Sequence, residues 1–382
     1  MGYQTINRPT QLNASTTLTT DFRLPAEWTR QGAVMLTWPH AGTDWLSRLA
    51  EVTPVFEAIA HAVLRRQDLL VSCEDAAEAQ RLQRCFDQWT ESESLPGRAR
   101  VLNAPADDTW ARDHGPMVVL EAQSGQVPGH RRARVLDFAF NAWGGKFPWE
   151  KDNQLNARLA AHGVFGGAPL DEVDMILEGG SIETDGAGTL LTTAECLLAP
   201  TRNPGMDRAA VEGRLGELLG FDRFLWLENG YLAGDDTDSH IDTLARFCSA
   251  QCICYVRCDD PTDEHYPALS AMEAELKQFR QRDGKPYELI ALPWPDAVFD
   301  EDGERLPATY ANFLIINDAV LLPVYGVRQD DDAITALKQC FPTREIVAIN
   351  CRPLVAQHGS LHCVTMQIPE GAWTPIGGDN SV

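Results

Sequence analysis

Basic residues are scarce in this chain. Against 55 Asp and Glu stand only 32 Lys and Arg, a formal net charge of −23 over 382 residues. That deficit argues against nucleic acid and against anionic membrane as partners, since both are held by clustered cations. Long apolar runs are also missing. None approaches the roughly 18–20 residues that cross a bilayer as a helix. Met1–Thr20 is polar and rich in Thr, Asn and Gln, without the basic-then-apolar order of a secretory signal. Gly2 invites a myristoyl reading, yet Ile6 stands where Ser or Thr is required. With no low-complexity segment and no sharp linker, a single domain is expected over 24–370, between a flexible tail at 1–23 and a second tail at 371–382.

What is present fits a folded α/β protein. Hydrophobic residues make up 44% and charged residues 23%, the balance of a globular chain with a large core. Ten cysteines without a secretory signal suggest reduced thiols and a cytoplasmic setting. Four of them, Cys248, Cys252, Cys254 and Cys258, fall in one β-rich run. Separate C-x₂₋₄-C pairs on their own turns, the usual zinc arrangement, are lacking there, so these read as buried structural thiols. The net acidity would favour the approach of a small cationic substrate, and the sequence leaves homo-oligomerisation open.

Short β-rich stretches alternate with helical periodicity along the whole chain. Ala33–Pro39 and Leu69–Cys73 read as strands. Between them Leu49–Arg66 places Val52, Val55, Phe56, Ile59, Ala60 and Val63 at helical spacing. Further strands are expected at Arg134–Phe138, Thr189–Ala194, Phe224–Trp226, Glu288–Leu292, Phe313–Asn317, Ala319–Pro323, Glu345–Ile349 and His362–Gln367, and Leu244–Val256 reads as one β-rich run. Helices are expected at Ala76–Trp89, Asp152–His162, Met206–Leu219, Ala268–Gln281 and Asp331–Cys340. Strand–helix–strand units recur every ~50–70 residues, a spacing common in repeat architectures.

Polar residues crowd into a few segments. In Gly234–Arg246, read as an extended strand, Asp236, Asp238, His240 and Asp242 share one face. Three carboxylates beside an imidazole repel one another when buried, so such a face calls for a cation, either a metal or an organic one. A solvated acidic loop capping a helix is the plainer alternative. Thr109–Pro116 packs Trp110, Arg112, Asp113 and His114 into a turn-forming loop; a surface pair of Asp113 with Arg112 would leave Trp110 unaccounted for. Glu178 precedes two glycines after an apolar stretch, as a turn residue or as a carboxylate aimed into a pocket. Cys363 opens an apolar strand beside His362, where a thiolate could serve as nucleophile.

Taken in order, Leu24-Pro-Ala-Glu-Trp28, Thr37-Trp-Pro-His40, Trp110-Ala-Arg-Asp-His-Gly-Pro116, Phe140-Asn-Ala-Trp-Gly-Gly-Lys146, Glu178-Gly-Gly, His240-Ile-Asp242 and His362-Cys363 make the chain closely similar to one family. It resembles the agmatine deiminase / Porphyromonas-type peptidylarginine deiminase family of the guanidine-modifying superfamily, over residues 24–370. The resemblance implies an α/β fold of five ββαβ units about a pseudo-fivefold axis, the five-bladed pentein propeller, with the active site at its centre. It implies Cys363 as nucleophile, His240 as general acid/base and Glu178 as the carboxylate orienting His240. Asp113 and Asp242 would grip a guanidinium and Trp110 would line the pocket; separately, the charge of Asp235, Asp236 and Asp238 near these motifs is expected to attract an ammonium at the substrate's far end, with Asp236 as the binding residue. Neither metal nor other cofactor is implied. Chemically, a planar guanidinium with paired N–H donors suits two carboxylates.

The chain departs from the family at Asp235-Asp-Thr-Asp-Ser-His-Ile-Asp242, where Asp-Glu-Thr-Asn-Gly-His-Val-Asp is typical, and at Gln357-His-Gly-Ser360, where a glycine-rich run is usual. Both segments should shape the far end of the pocket. The expectation is a deiminase converting agmatine to N-carbamoylputrescine and ammonia, with free arginine and peptidyl-arginine as the next candidates. Two rivals differ in class: a metallohydrolase built on Asp236, Asp238, His240 and Asp242, and an amidinotransferase of the same superfamily. A non-catalytic binding protein would leave the filled catalytic positions without purpose.

Overall fold

The computed structural model describes residues 21–122 and 132–377. Residues 1–20 of the expected N-terminal tail therefore lie outside it. Among the described residues no helix is long and apolar enough to cross a membrane.

The short apolar stretches become short strands, and these pair in one recurring order. Met117–Glu121 runs antiparallel to Ala133–Ala139, which runs parallel to Leu170–Ile176. Ile182–Thr184, Thr189–Thr193 and Arg223–Leu227 repeat the order. So do Ala245–Ser249, Cys252–Val256 and Glu288–Leu292, and likewise Leu314–Ile316, Ala319–Val324 and Glu345–Asn350. The fifth sheet joins the chain's two ends: Thr365–Pro369 is antiparallel to Gln31–Thr37, itself parallel to Asp68–Cys73. In each sheet the parallel pair is connected through a helix: Leu49–Leu64, Leu155–Ala161, Arg208–Leu219, Tyr266–Leu276 or Asp330–Cys340. A hairpin brings strands together antiparallel, whereas a parallel return needs a crossover. The chain is thus a mixed α/β fold of ββαβ units.

The helices start and stop where local chemistry dictates. Ala76–Glu93 is capped by Asp75, whose side chain accepts from the Ala77 and Glu78 amides, satisfying donors that the first turn leaves unpaired. Arg208–Leu219 ends at Gly220, φ +74°, where a Cβ would meet the Phe22 carbonyl oxygen at 2.4 Å. Only glycine fits that left-handed exit. Leu49–Leu64 buries the apolar stripe read from its spacing, Val52, Val55, Phe56, Ile59, Ala60 and Val63.

Three sequence expectations need correction. Leu244–Val256 is not one run but a hairpin of Ala245–Ser249 and Cys252–Val256, with Cys248, Cys252 and Cys254 buried in it. Packed structure also passes 370: Ala372 and Trp373 are buried, and the Trp373 indole donates to Asp68 at 2.8 Å, so the segment from 371 does not begin as a tail. Finally, Gly234–Arg246 is not a strand. Asp238 and Ser239 are left-handed at φ +64° and +63°, and Ile241–Thr243 forms a 3₁₀ turn. Asp235 causes this, accepting from its own Thr237 hydroxyl and Ser239 amide, each at 2.7 Å; such local side-chain bonds compete with an extended backbone.

Candidate active site

One feature recurs at every unit boundary. Just before the first strand of each sheet, a connector delivers a polar residue: Asp113 before Met117–Glu121, Glu178 before Ile182–Thr184, His240 and Asp242 before Ala245–Ser249, Asn312 before Leu314–Ile316, and Cys363 before Thr365–Pro369. All six are buried, and the connectors touch. The Gly180 amide donates to Asp113 Oδ1 at 2.9 Å. His240 lies 3.7 Å from Asp113 and 3.9 Å from Glu178. His362 Nδ1 is 2.7 Å from Asp242 Oδ2, and Asn312 Nδ2 is 3.3 Å from Cys363 Sγ.

Above them opens a cavity of about 270 Å³, large enough for a small organic molecule. Cys363, His240, Asp113, Trp110 and Asp236 line it, together with Asp44, Asp108, Asp235, Trp143 and His358. Trp110 donates its indole N–H to Asp108 at 3.1 Å, and its ring edge leaves no room for a Cβ at Gly359, which would sit 2.1 Å from it. His358, itself left-handed at φ +65°, reaches the Gly234 carbonyl at 2.7 Å. That bond ties the Gln357–Ser360 segment to the residue just before Asp235–Asp242.

Of the residues given catalytic or substrate-binding roles from sequence, Asp242 and Glu178 do not line the cavity. Asp242 is beneath it, with Oδ2 held by His362 and Oδ1 buried without a hydrogen-bond partner among the described residues. Glu178 is also beneath, and at 3.9 Å it is too far to orient His240 by a hydrogen bond. It accepts instead from Arg202 Nε at 2.9 Å. Nor do Asp236, Asp238, His240 and Asp242 form one acidic face: Asp238 turns away to Arg202 and Lys146. The four do not make up one of the side-chain groups of the described residues close enough to share a metal ion, so a metallohydrolase built on them lacks its ligand set.

Behind the site lies a network that sequence reading did not assemble. His362 bridges Asp242 and Glu27, at 2.7 Å to each. Arg246 then bonds Glu27 at 2.9 Å and Glu183 at 2.8 Å. Arg112 is buried beside Glu27 and donates to Gln367 at 2.7 Å; it is no surface partner of Asp113. Burial alone would raise the carboxylates, but Arg246 and His362 reverse this at Glu27 and hold it well below its usual range. Asp242 is likewise lowered: burial raises it, but the His362 hydrogen bond and the charges of His362, His240 and Arg246 together outweigh that.

Cys363, His240 and Asp113, which line the cavity, are all shifted upward. Burial pushes the Cys363 thiol well above its ordinary value, and the carboxylates of Asp242 and Asp113 push it further. Burial works to lower His240, yet Asp113, Cys196 and Glu178 more than reverse that and leave it well above 6.5. Burial, with Asp242 and Glu178 adding, raises Asp113 to about 6 against the pull of His240. These shifts favour the neutral thiol of Cys363 and the protonated ring of His240.

The family model for Porphyromonas-type peptidyl-arginine deiminase matches residues 23–369. A protein of Shewanella sp. (strain MR-4) named "Putative agmatine deiminase" is 34% identical over 375 residues, 92% of this chain and 95% of its own length. Among solved structures, the "Putative Arginine Deiminase" from Porphyromonas gingivalis is 49% identical, with a TM-score of 0.83 over 92% of this chain and 100% of that one. An agmatine deiminase of C. jejuni, solved as a cysteine-to-serine variant with substrate bound, is 34% identical, with a TM-score of 0.81 over 92% of this chain and 97% of that one.

Proposed function

The chain belongs to the Porphyromonas-type peptidyl-arginine deiminase family, and from that premise we propose that its preferred substrate is agmatine. It is a hydrolase acting on the C–N bonds of amidines. The observation that carries the substrate reading is the charge of the cavity wall. Asp44, Asp108, Asp235 and Asp236 line it, and no Lys or Arg does among the described residues. The arginines able to receive a substrate carboxylate are engaged elsewhere: Arg112 with Gln367, Arg246 with Glu27 and Glu183, and Arg328 with Asp296 at the exposed surface. A buried carboxylate without a cation is expensive, whereas agmatine's ammonium would meet carboxylates that burial already strains, Asp108 at about 6 and Asp236 also raised.

In this reading Asp113 and the free Oδ1 of Asp242 grip the guanidinium and hold its carbon in line with Cys363 Sγ. The incoming positive charge offsets the two carboxylates that keep the thiol neutral, so the thiol releases its proton to solvent and the thiolate forms as substrate binds, with His240 kept protonated for the next step. Sulfur bonds to the guanidinium carbon and gives a tetrahedral adduct. Its C–N bond breaks as His240 donates a proton, releasing ammonia and leaving an S-alkylthiouronium intermediate. A water that gives its proton to His240 then attacks the same carbon, the C–S bond breaks, and the ureido product leaves with the thiol restored. Glu178 acts on His240 as a buried charge, and Trp110 walls the guanidinium side. The shared unit topology and the touching connectors support an arrangement of the five units about one axis, a pentein propeller centred on this site.

Ammonia release from agmatine, free arginine and a C-terminal arginyl peptide tests the assignment. kcat/KM for agmatine should exceed that for arginine by at least ~10-fold, a modest value for one charge contact. Equal or better turnover of arginine would replace agmatine by the second reading, which the 49% identity to a protein named an arginine deiminase favours.

A further inference from the structure

Cys340 is the last residue of the crossover helix Asp330–Cys340, far along the chain from the cysteine-rich hairpin, yet its sulfur reaches two of the hairpin's. The Sγ atoms of Cys248, Cys254 and Cys340 all lie within 4.8 Å of one another. Each is a free thiol. A bulge helps to assemble them: Phe247 pairs with Ile253 and Ser249 with Cys252, which leaves Cys248 as the extra residue between, and such a residue re-aims its side chain. Cys248 and Cys254 are buried and Cys340 is half-buried, so the third sulfur opens the group toward the surface. No His, Asp or Glu belongs to it among the described residues. None of the three lines the active-site cavity.

A buried cysteine packs as a small apolar side chain, but packing alone does not call for three thiols from two units at one point. Three sulfurs around an ion at about 2.3 Å stand about 4 Å apart, so the group needs to close by less than ~1 Å. Thiolate donors without nitrogen or oxygen select soft ions such as Cu⁺, whereas a structural Zn²⁺ takes four ligands. Cys252 lies beside Cys248 and Cys340 but stands outside the group, so a fourth sulfur is not in place. We propose that Cys248, Cys254 and Cys340 form a three-sulfur site for Cu⁺, each thiol giving its proton to solvent as the ion binds. The ion joins the hairpin of Ala245–Ser249 and Cys252–Val256 to the next unit's helix. That hairpin directly follows the connector carrying His240 and Asp242, so the ion clamps the scaffold behind the active site without entering it.

Anaerobic titration of the reduced full-length protein with Cu⁺, against a chromogenic Cu⁺ chelator, tests the site and needs no substrate. Wild type and Cys363→Ala should each bind one Cu⁺ per chain tightly, with a thiolate-to-copper charge-transfer band, which excludes the active-site thiol as the ligand. Cys254→Ser and Cys340→Ser should weaken that binding ~100-fold or more, since losing even a partner that only orients a ligand costs roughly 10–100-fold. The half-buried Cys340 is the safer position, so its variant covers the case in which Cys254→Ser fails to fold. Cys258→Ser, from the same cysteine run but outside the group, should bind as wild type does. X-ray absorption at the copper edge should count three sulfurs, and Cu⁺ should raise the Tm of wild type more than that of Cys340→Ser. Unchanged affinity in folded Cys340→Ser, or affinity lost in Cys363→Ala, overturns the proposal. So does a site that binds Zn²⁺ more tightly than Cu⁺ and fails in Cys252→Ser, which would make it a four-sulfur zinc site.

Discussion

Asp113 is held at both oxygens, by the Gly180 amide on Oδ1 and by the Trp143 indole at 3.0 Å on Oδ2. A carboxylate fixed in this way can grip a planar cation only while it is ionised, and burial raises its pKa to about 6. Asp108, also raised to about 6 by burial, lines the same cavity and would lose its attraction for an ammonium over the same range. Both groups bind their protons more tightly than an exposed carboxyl does, so lowering the pH through about 6 neutralises them together. kcat/KM should therefore fall on acidification through about pH 6, more steeply than one proton allows, while Asp108→Asn should reduce the fall to a single-proton limb. A profile flat from about pH 5 to 7 would show that neither carboxylate titrates where its burial places it.

The connectors hold the buried polar residues of the site, and they are also where the sequence was hardest to read. Strands and crossover helices announce themselves by periodicity, so Leu49–Leu64 and Asp330–Cys340 lie within a few residues of their expected bounds. The acidic connector misled because alternation is only a strand signal when the backbone is extended, and Asp235 bends it with its own carboxylate. Asn312 was missed for a different reason: a single amide inside an apolar stretch looks like a tolerated polar residue. The signal that could have found it is recurrence, since the other four connectors each place a polar residue just before the first strand of a unit. The same view of connectors makes Gly359 a steric requirement. Its φ is ordinary, yet a Cβ would meet the Trp110 ring at 2.1 Å. Gly359→Ala should displace that ring and lower kcat/KM by ~10-fold or more, and adding Trp110→Phe should recover part of the loss by vacating the space. If Gly359→Ala alone were as active as wild type, the ring could not be a fixed wall of the cavity.

At the scale of the molecule, the first and last parts of the chain complete one sheet, Thr365–Pro369 against Gln31–Thr37. Cys363 therefore hangs from a strand whose partner lies more than 300 residues earlier, next to Glu27 of the network behind the site. This placement explains why Leu24-Pro-Ala-Glu-Trp28 belongs with the catalytic segments although it contributes nothing to the cavity wall. The remaining global property is charge. A net −23 draws cations from a distance, while the carboxylates inside the cavity act at contact range. Salt separates the two, because exposed charges more than a Debye length apart, ~10 Å at 0.1 M, are largely screened and buried ones much less so. If the acidic surface steers the substrate, raising salt from about 20 to about 300 mM should lower kcat/KM for agmatine ~2–5-fold through KM, with kcat unchanged. A neutral-ended guanidine of similar length bears one charge fewer and should lose less. A kcat/KM for agmatine indifferent to salt would confine recognition to the cavity walls, and a fall carried by kcat would mean that salt acts on the catalytic groups themselves.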